Sequence, residues 1–128
     1  MGNIVLKEPL VCFDVDDTLV SWECYGQVKS GMLEFVDPED GQSLWLETIP
    51  ENIEAMKAHK LRGHTVVVWS AGGAMWAKEV THKLGLSKYV DAYMSKPNWY
   101  YDDLPSSEFL PETNRRHFVL KGRSSGKT

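Results

Sequence analysis

The chain has 128 residues, 42% hydrophobic and 25% charged, with a formal net charge of −4. A single domain with a substantial core is the expectation for that length, and the balance is ordinary for a soluble globular protein. The acidic surplus argues against a generic nucleic-acid binder, which carries a basic one. Two cysteines, Cys12 and Cys24, are too few for a disulfide scaffold and form no C-x-x-C zinc pair. Cys12 lies in an apolar run and reads as a buried, reduced thiol. No apolar stretch approaches the roughly 18 residues of a membrane span. Lys7, Glu8 and Pro9 stand where a signal peptide needs apolar residues. The expectation is a cytoplasmic, unanchored chain.

In chain order, Leu10-Val11-Cys12-Phe13-Asp14-Val15 reads as a buried strand with carboxylates at its C-terminal tip. From Gln27 to Leu46, apolar-rich arms flank an Asp-Gly turn and predict a β-hairpin. Pro50 to Leu61 predicts a helix, with Pro50 in its first turn, Glu51 and Glu54 at its N-terminal end and Gly63 beyond its end. Its apolar stripe is Ile53, Met56 and Lys60-Leu61. His64 to Ala71, around Val66-Val67-Val68-Trp69, predicts a second buried strand. A second helix is expected over Ala74–Leu84, where Trp76, Val80 and Leu84 share a face and Gly85 stops it. Tyr89–Ser95 and Trp99–Tyr101 read as short extended segments, and His117–Leu120 as a last short strand. The basic Gly/Ser-rich tail, Lys121–Thr128, reads as mobile. No linker divides the chain. The order strand, helix, strand, helix, strand is that of an α/β protein, with a mostly parallel three-layer, Rossmann-like sheet and a hairpin flap. Ligands of such sheets bind beyond the carboxyl ends of the strands, where Asp14, Asp16, Ser70 and Asp102-Asp103 fall.

The chemistry is concentrated in Phe13-Asp14-Val15-Asp16-Asp17-Thr18-Leu19. Three acids crowded at one strand end repel one another, at about 1 kcal/mol per close pair in water and several-fold more in a cleft. A divalent cation relieves that repulsion, and hard oxygen ligands suit magnesium.

The stretch resembles the first motif of the haloacid dehalogenase superfamily, an apolar strand followed by Asp-x-Asp-x-Thr-Leu. Asp14, Asp16 and Thr18 match its positions. Ser70 in Val68-Trp69-Ser70-Ala71-Gly72-Gly73 matches the second motif, Lys96 in Ser95-Lys96-Pro97 the third, and Asp102-Asp103 the acidic fourth. The resemblance covers Leu10 to Asp103, about three quarters of the chain. It implies a magnesium-dependent phosphatase. Asp14 would be the nucleophile, forming an aspartyl-phosphate. Asp16 would be the general acid and then the general base, and an acid at that position points to phosphatases rather than dehalogenases. Thr18 would shape the turn. Ser70 and the amides of Ala71 and Gly72 would hold a phosphoryl oxygen. Lys96 would offset charge on the nucleophile and the phosphoryl group. Asp14, the Asp16 carbonyl, Asp102 and Asp103 would hold Mg²⁺.

Two features depart from the larger family members. Only Pro97 and Asn98 separate Lys96 from the run leading to Asp102, whereas a parallel crossover needs about a dozen residues. Tyr89–Lys96 and Trp99–Asp103 are therefore not neighbouring parallel strands, and the first is expected to be short, irregular or at an edge. The insertion between the first two motifs offers only a flap, not a cap domain. An open site suits a macromolecular end or a phosphoprotein, and equally a small molecule if another subunit closes it. A flap rich in Leu44, Trp45 and Leu46 would serve such an interface.

Other residues read as ordinary structure. Asp17 is expected to be an exposed turn residue. His59, His64, His82 and His117 lack metal-ligand spacing. The five tryptophans read mainly as core or flap residues, with Trp22 and Trp45 the candidates for lining the site mouth. Gly122–Thr128 resembles part of a phosphate-binding loop, but Lys121 stands where that motif needs its first glycine. The alternatives to phosphomonoester hydrolysis are a nucleic-acid end phosphatase, weakly favoured by Arg115, Arg116, Lys121, Arg123 and Lys127, a phosphoprotein phosphatase, and a catalytically idle metal-binding module of the same fold.

Overall fold

A computed structural model describes residues 4–105 and residue 110. The run Thr65–Ser70 (β5) is the centre of the structure: Val66, Val67 and Val68 are all buried, as a β-branched strand covered on both faces should be. Leu10–Phe13 (β1) and Ala92–Ser95 (β6) flank it in a three-stranded, wholly parallel sheet of order β1-β5-β6. The register aligns Phe13 with Val68 and Ser70 with Ser95, so the C-terminal ends of all three strands reach one edge. β1 is less buried than its apolar composition predicts. It is an edge strand, exposed at Leu10 and buried only at Phe13.

Between β1 and β5 lies a second, antiparallel sheet. Val20–Ser21 (β2), Leu33–Val36 (β3) and Ser43–Thr48 (β4) pair in the order β2-β4-β3. The predicted hairpin is present as β3 and β4, and its turn closes through the Asp37 amide on the Gln42 carbonyl at 2.9 Å and Gly41 on Asp37 at 2.7 Å. It is not a flap, however. β4 runs past the expected end at Leu46 and pairs with β2 next to the Asp14 loop. Side chains alternate along the pleat: Phe35, Leu44 and Leu46 enter the main core with Leu19, Val20, Met56 and Trp76, while Trp45 stays 40% exposed. The expected apolar interface face of Leu44, Trp45 and Leu46 is thus reduced to Trp45.

The helix Pro50–Leu61 (α1) begins with proline at its N-terminal turn and ends before Gly63, whose φ of 84° suits glycine after a helix. Met56 is its buried anchor and Ile53 packs beside it, whereas Leu61 is 84% exposed and leaves the expected stripe. Ala74–Lys83 (α2) buries Trp76, Ala77, Val80 and Thr81, packs on β5 and β6, and stops at Gly85 with φ 73°. The expected extended stretch from Tyr89 is in part a short 3₁₀ turn, Ser87–Tyr89, before β6. Asp91, between them, accepts Val66 N–H at 2.8 Å and the Lys60 ammonium at 2.7 and 2.8 Å, tying α1 to the start of β5.

Although no linker is legible, the chain divides into two compact units, Met1–Lys96 and Pro97–Thr128. In the second, the described stretch 97–105 joins no ladder, including the expected extended run at Trp99–Tyr101, and all three of those aromatics are exposed. The strand expected at His117–Leu120 and the basic tail lie outside the described residues. Among the described residues no helix is long and apolar enough to cross a membrane.

Two measurements check this account. Phe35→Ala should cost about 3–5 kcal/mol in chemical denaturation, as for a core aromatic; a peripheral flap would leave the transition nearly unmoved. Asp91→Asn should cost about 1 kcal/mol at neutral pH, a modest value because the Lys60 pair is partly solvated. The Lys60 and Val66 hydrogen bonds hold the Asp91 carboxyl below its usual range. Its contribution is therefore present above the ordinary aspartate pKa and lost as pH falls through the lower folded value. The difference between wild type and Asp91→Asn should accordingly close in strong acid.

Candidate active site

The loop leaving β1 is wound around one carbonyl. The amides of Thr18, Leu19 and Val20 all donate to the Val15 oxygen, at 3.2, 2.8 and 3.2 Å, and Asp17 N–H returns to Val20 O at 2.6 Å. Val15, Leu19 and Val20 are fully buried and anchor the loop. Asp17 takes the left-handed conformation at φ 61°, which aspartate tolerates better than most residues, and its Oδ1 accepts Trp22 N–H at 3.0 Å. Asp17 is thus half-buried and organises the turn, where an exposed residue was expected. Asn52 from α1 donates to the Thr18 carbonyl at 2.9 Å and braces the loop from the other side.

This winding sets Asp14 and Asp16 on either side of the buried Val15. Lys96 Nζ lies 3.2 Å from Asp14 Oδ1, and Thr18 Oγ1 donates weakly to Oδ2 at 3.4 Å. Lys96 is placed by backbone: its N–H donates to Ser70 O at 2.9 Å, extending the β5–β6 ladder by one step. The short connection through Pro97 and Asn98 thus leaves Lys96 at the end of the β5–β6 ladder. The two side chains are 39% and 32% exposed, so the pair adds little stability and serves to orient the carboxylate.

Ser70 ends β5 fully buried. Its Oγ accepts Gly72 N–H at 3.0 Å, and its carbonyl accepts Gly73 and Lys96. The Gly72 amide, read from sequence as a phosphoryl contact, is thus turned onto Ser70, and no acceptor among the described residues takes the Ser70 hydroxyl hydrogen. Ala71 is exposed at the turn. Gly72 sits in a tight place: a Cβ there would lie 3.3 Å from both Ser70 Oγ and Trp76 Cδ1, so one of them would have to give by a few tenths of an ångström.

Asp16 has the most distinctive surroundings. Trp22 Nε1 and Trp76 Nε1 both donate to its Oδ1, at 2.7 and 3.0 Å. Burial pushes this carboxyl above its usual range, the two indole hydrogen bonds pull it back, and the neighbouring charges of Asp14 and Asp17 raise it further. Beside it opens a cleft of about 380 Å³ lined by acids (Asp16, Asp17, Asp37, Glu39) and by Trp22, Leu44, Gly72 and Trp76. The cleft lies on the Asp16 side of the loop rather than over Asp14 and Lys96. Of the two tryptophans considered for a site mouth, Trp22 lines this cleft and Trp45 does not. Trp76 appears in the sequence only as part of a core stripe, and Asp37 and Glu39 only as turn residues. The one available signal for Trp76 was its place in the first turn of the helix that follows Ser70.

Asp102 and Asp103 belong to the second unit. Asp102 Oδ1 accepts Leu104 N–H at 3.0 Å, and that bond, followed by one from Asp103, holds its carboxyl below the usual range. Among the described residues no group of three or more His, Cys, Asp or Glu residues is arranged to hold a metal ion. Comparison with known proteins finds no matching family model, no matching curated protein and no matching solved structure.

The packing at Gly72 carries its own test. Gly72→Ala should change stability by no more than about 1 kcal/mol, because the slight overpacking is offset by the freedom glycine loses on folding, and should shift the tryptophan fluorescence as Trp76 moves. Unchanged emission would mean that the turn yields without disturbing Trp76.

Proposed function

We propose that this chain is a magnesium-dependent phosphomonoesterase of the haloacid dehalogenase type, built on a three-layer Rossmann-like sheet, with Asp14 as nucleophile. The observation that carries the reading is the Lys96 ammonium 3.2 Å from the Asp14 carboxylate, at the shared C-terminal edge of a parallel sheet. A carboxylate paired with an ammonium at the tip of a strand can attack phosphorus while the ammonium offsets the charge of the incoming phosphoryl group.

In this reading a phosphate monoester enters with its phosphorus facing Asp14. Lys96 holds a phosphoryl oxygen, Ser70 offers its hydroxyl hydrogen to another, and the Ala71 and Gly72 amides join once Gly72 releases Ser70. Asp16 protonates the leaving oxygen and then deprotonates the water that frees Asp14. Magnesium keeps several waters and needs only one or two carboxylates beside the substrate's phosphate oxygens, so a site without a three-side-chain cage still fits it. The donors suit that ion: the Asp14 carboxylate stands at the strand tip, and no backbone amide among the described residues donates to the Asp16 carbonyl. Asp102 and Asp103 are nominated as further carboxylates by the family resemblance of their sequence alone. When bound, the metal supplies charge neutralisation at the phosphoryl oxygens.

Because Asp16 serves the leaving group, that group lies on the side of the acid-lined cleft. Four carboxylates around it favour a neutral or cationic leaving group and weigh against a nucleic-acid end, whose neighbouring phosphates they would repel. Free thiols at Cys12 and Cys24 agree with a reducing, cytoplasmic setting.

The test is hydrolysis of p-nitrophenyl phosphate by wild type and Asp14→Asn, with and without magnesium. Turnover by wild type that needs the metal and falls to background in the variant is the expected result. Full activity in Asp14→Asn would remove Asp14 from the mechanism. Magnesium binding without turnover would favour the idle-module reading.

A further inference from the structure

The two tryptophans that meet on Asp16 come from separate parts of the fold. Trp22 directly follows β2, and Trp76 lies in the first turn of α2, sixty residues from Asp16. An indole has one donor and no acceptor. Each ring therefore commits its single polar group to this carboxylate, and both choose the same atom, Oδ1. No hydrogen-bond donor among the described residues reaches Oδ2. A carboxylate held at one oxygen by two donors from different directions loses its freedom to rotate or to exchange its oxygens. Both rings are themselves fixed. Trp76 is buried against Phe35, edge-on at 6.3 Å between centroids, and lies close against Gly72; Trp22 packs tilted at 44° on Tyr25, with centroids 4.9 Å apart.

We propose that Trp22 and Trp76 are a pair of positioning residues that hold the Asp16 carboxyl with Oδ2 as its sole proton-transferring oxygen, an inference that rests on the phosphatase reading above. In the first step the Oδ2 proton passes to the leaving-group oxygen as its bond to phosphorus breaks and the bond from Asp14 to phosphorus forms. In the second step Oδ2 takes a proton from water as the water oxygen bonds to phosphorus and Asp14 departs. Oδ1, occupied by two N–H groups, stays out of both transfers. The consequence is selective. Nitrophenolate leaves without a proton, whereas an alkoxide does not, so the clamp matters for alkyl esters and little for activated aryl esters.

The experiment compares kcat on glycerol 2-phosphate with kcat on p-nitrophenyl phosphate, with magnesium, for wild type, Trp76→Phe, Trp22→Phe and Asp16→Asn. The ratio of the two rates is read within each sample, so partial loss of folded protein cancels. Each Phe variant keeps a ring and loses the N–H. The expected result is a fall in the alkyl-to-aryl ratio of about 10–100-fold for each Phe variant, within the range that general acid catalysis supplies. Asp16→Asn should lower the ratio further, and adding Trp76→Phe to Asp16→Asn should lower it no more. An unchanged ratio in both Phe variants, whatever their total activity, would reduce the tryptophans to packing and overturn the proposal. So would a further drop from Trp76→Phe in the Asp16→Asn background. Wild type without metal-dependent turnover on either ester would instead remove the phosphatase reading, and the positioning role with it.

Discussion

The register of the parallel sheet is the constraint on which the rest depends. Phe13 aligned with Val68 and Ser70 aligned with Ser95 bring three strand ends to one edge. Neighbouring strands are about 4.8 Å apart, so β1 and β6 are separated by roughly 10 Å at that edge. An extended lysine and an aspartate span such a gap from opposite sides of β5, which is how Lys96 meets Asp14. A slip of one residue in either ladder would turn these side chains toward the other face. The run Val66–Val68 lies buried along its whole length at the centre of that sheet.

The loop and the antiparallel sheet build on this edge. Val15, Leu19 and Val20 carry the turn into the core, and β2 extends it into pairing with β4. The hairpin is therefore held by the same apolar cluster that holds the site, with Phe35 packed on Trp76 and Trp76 bonded to Asp16. Core packing and site geometry are one network here: the ring that fills the space beside Phe35 also fixes a carboxylate. Electrostatics adds little to stability in this region. The Asp14–Lys96 pair is partly solvated, and burying Asp16 is unfavourable, a cost that the two indole hydrogen bonds offset only in part. Groups arranged at such a cost are explained by position rather than by stability.

Much of the fold is legible because local chemistry and tertiary context agree. Pro50 with Glu51 starts α1, Gly85 stops α2, and the Val66–Val68 run has no alternative to a covered strand. Disagreements arise where burial is decided by a distant partner. Alternation along Ser43–Thr48 marks a strand but does not say what covers its inner face, so a core hairpin reads as a flap. Leu61 follows the helical stripe and still points to solvent, while its neighbours His59 and Lys60 in the same turn meet Phe13 and Asp91. Lys96 is the converse: its connection to the next segment is short, yet one hydrogen bond to Ser70 O places it.

By itself the sequence determined the chemical inventory of the site and its rough address: acids and Thr18 after one apolar run, Ser70 after another, Lys96 after a third, in an α/β order that gathers strand ends. These are local facts, set by residue type and by the period of the apolar pattern. Only the tertiary structure decided that Lys96 pairs with Asp14, that Gly72 gives its amide to Ser70, and that Trp22 and Trp76 converge on one oxygen of Asp16. A tryptophan in an apolar stripe has the same pattern whether its N–H is idle or committed. The partner lies sixty residues away, and the direction of a single donor is fixed by packing that no local pattern records.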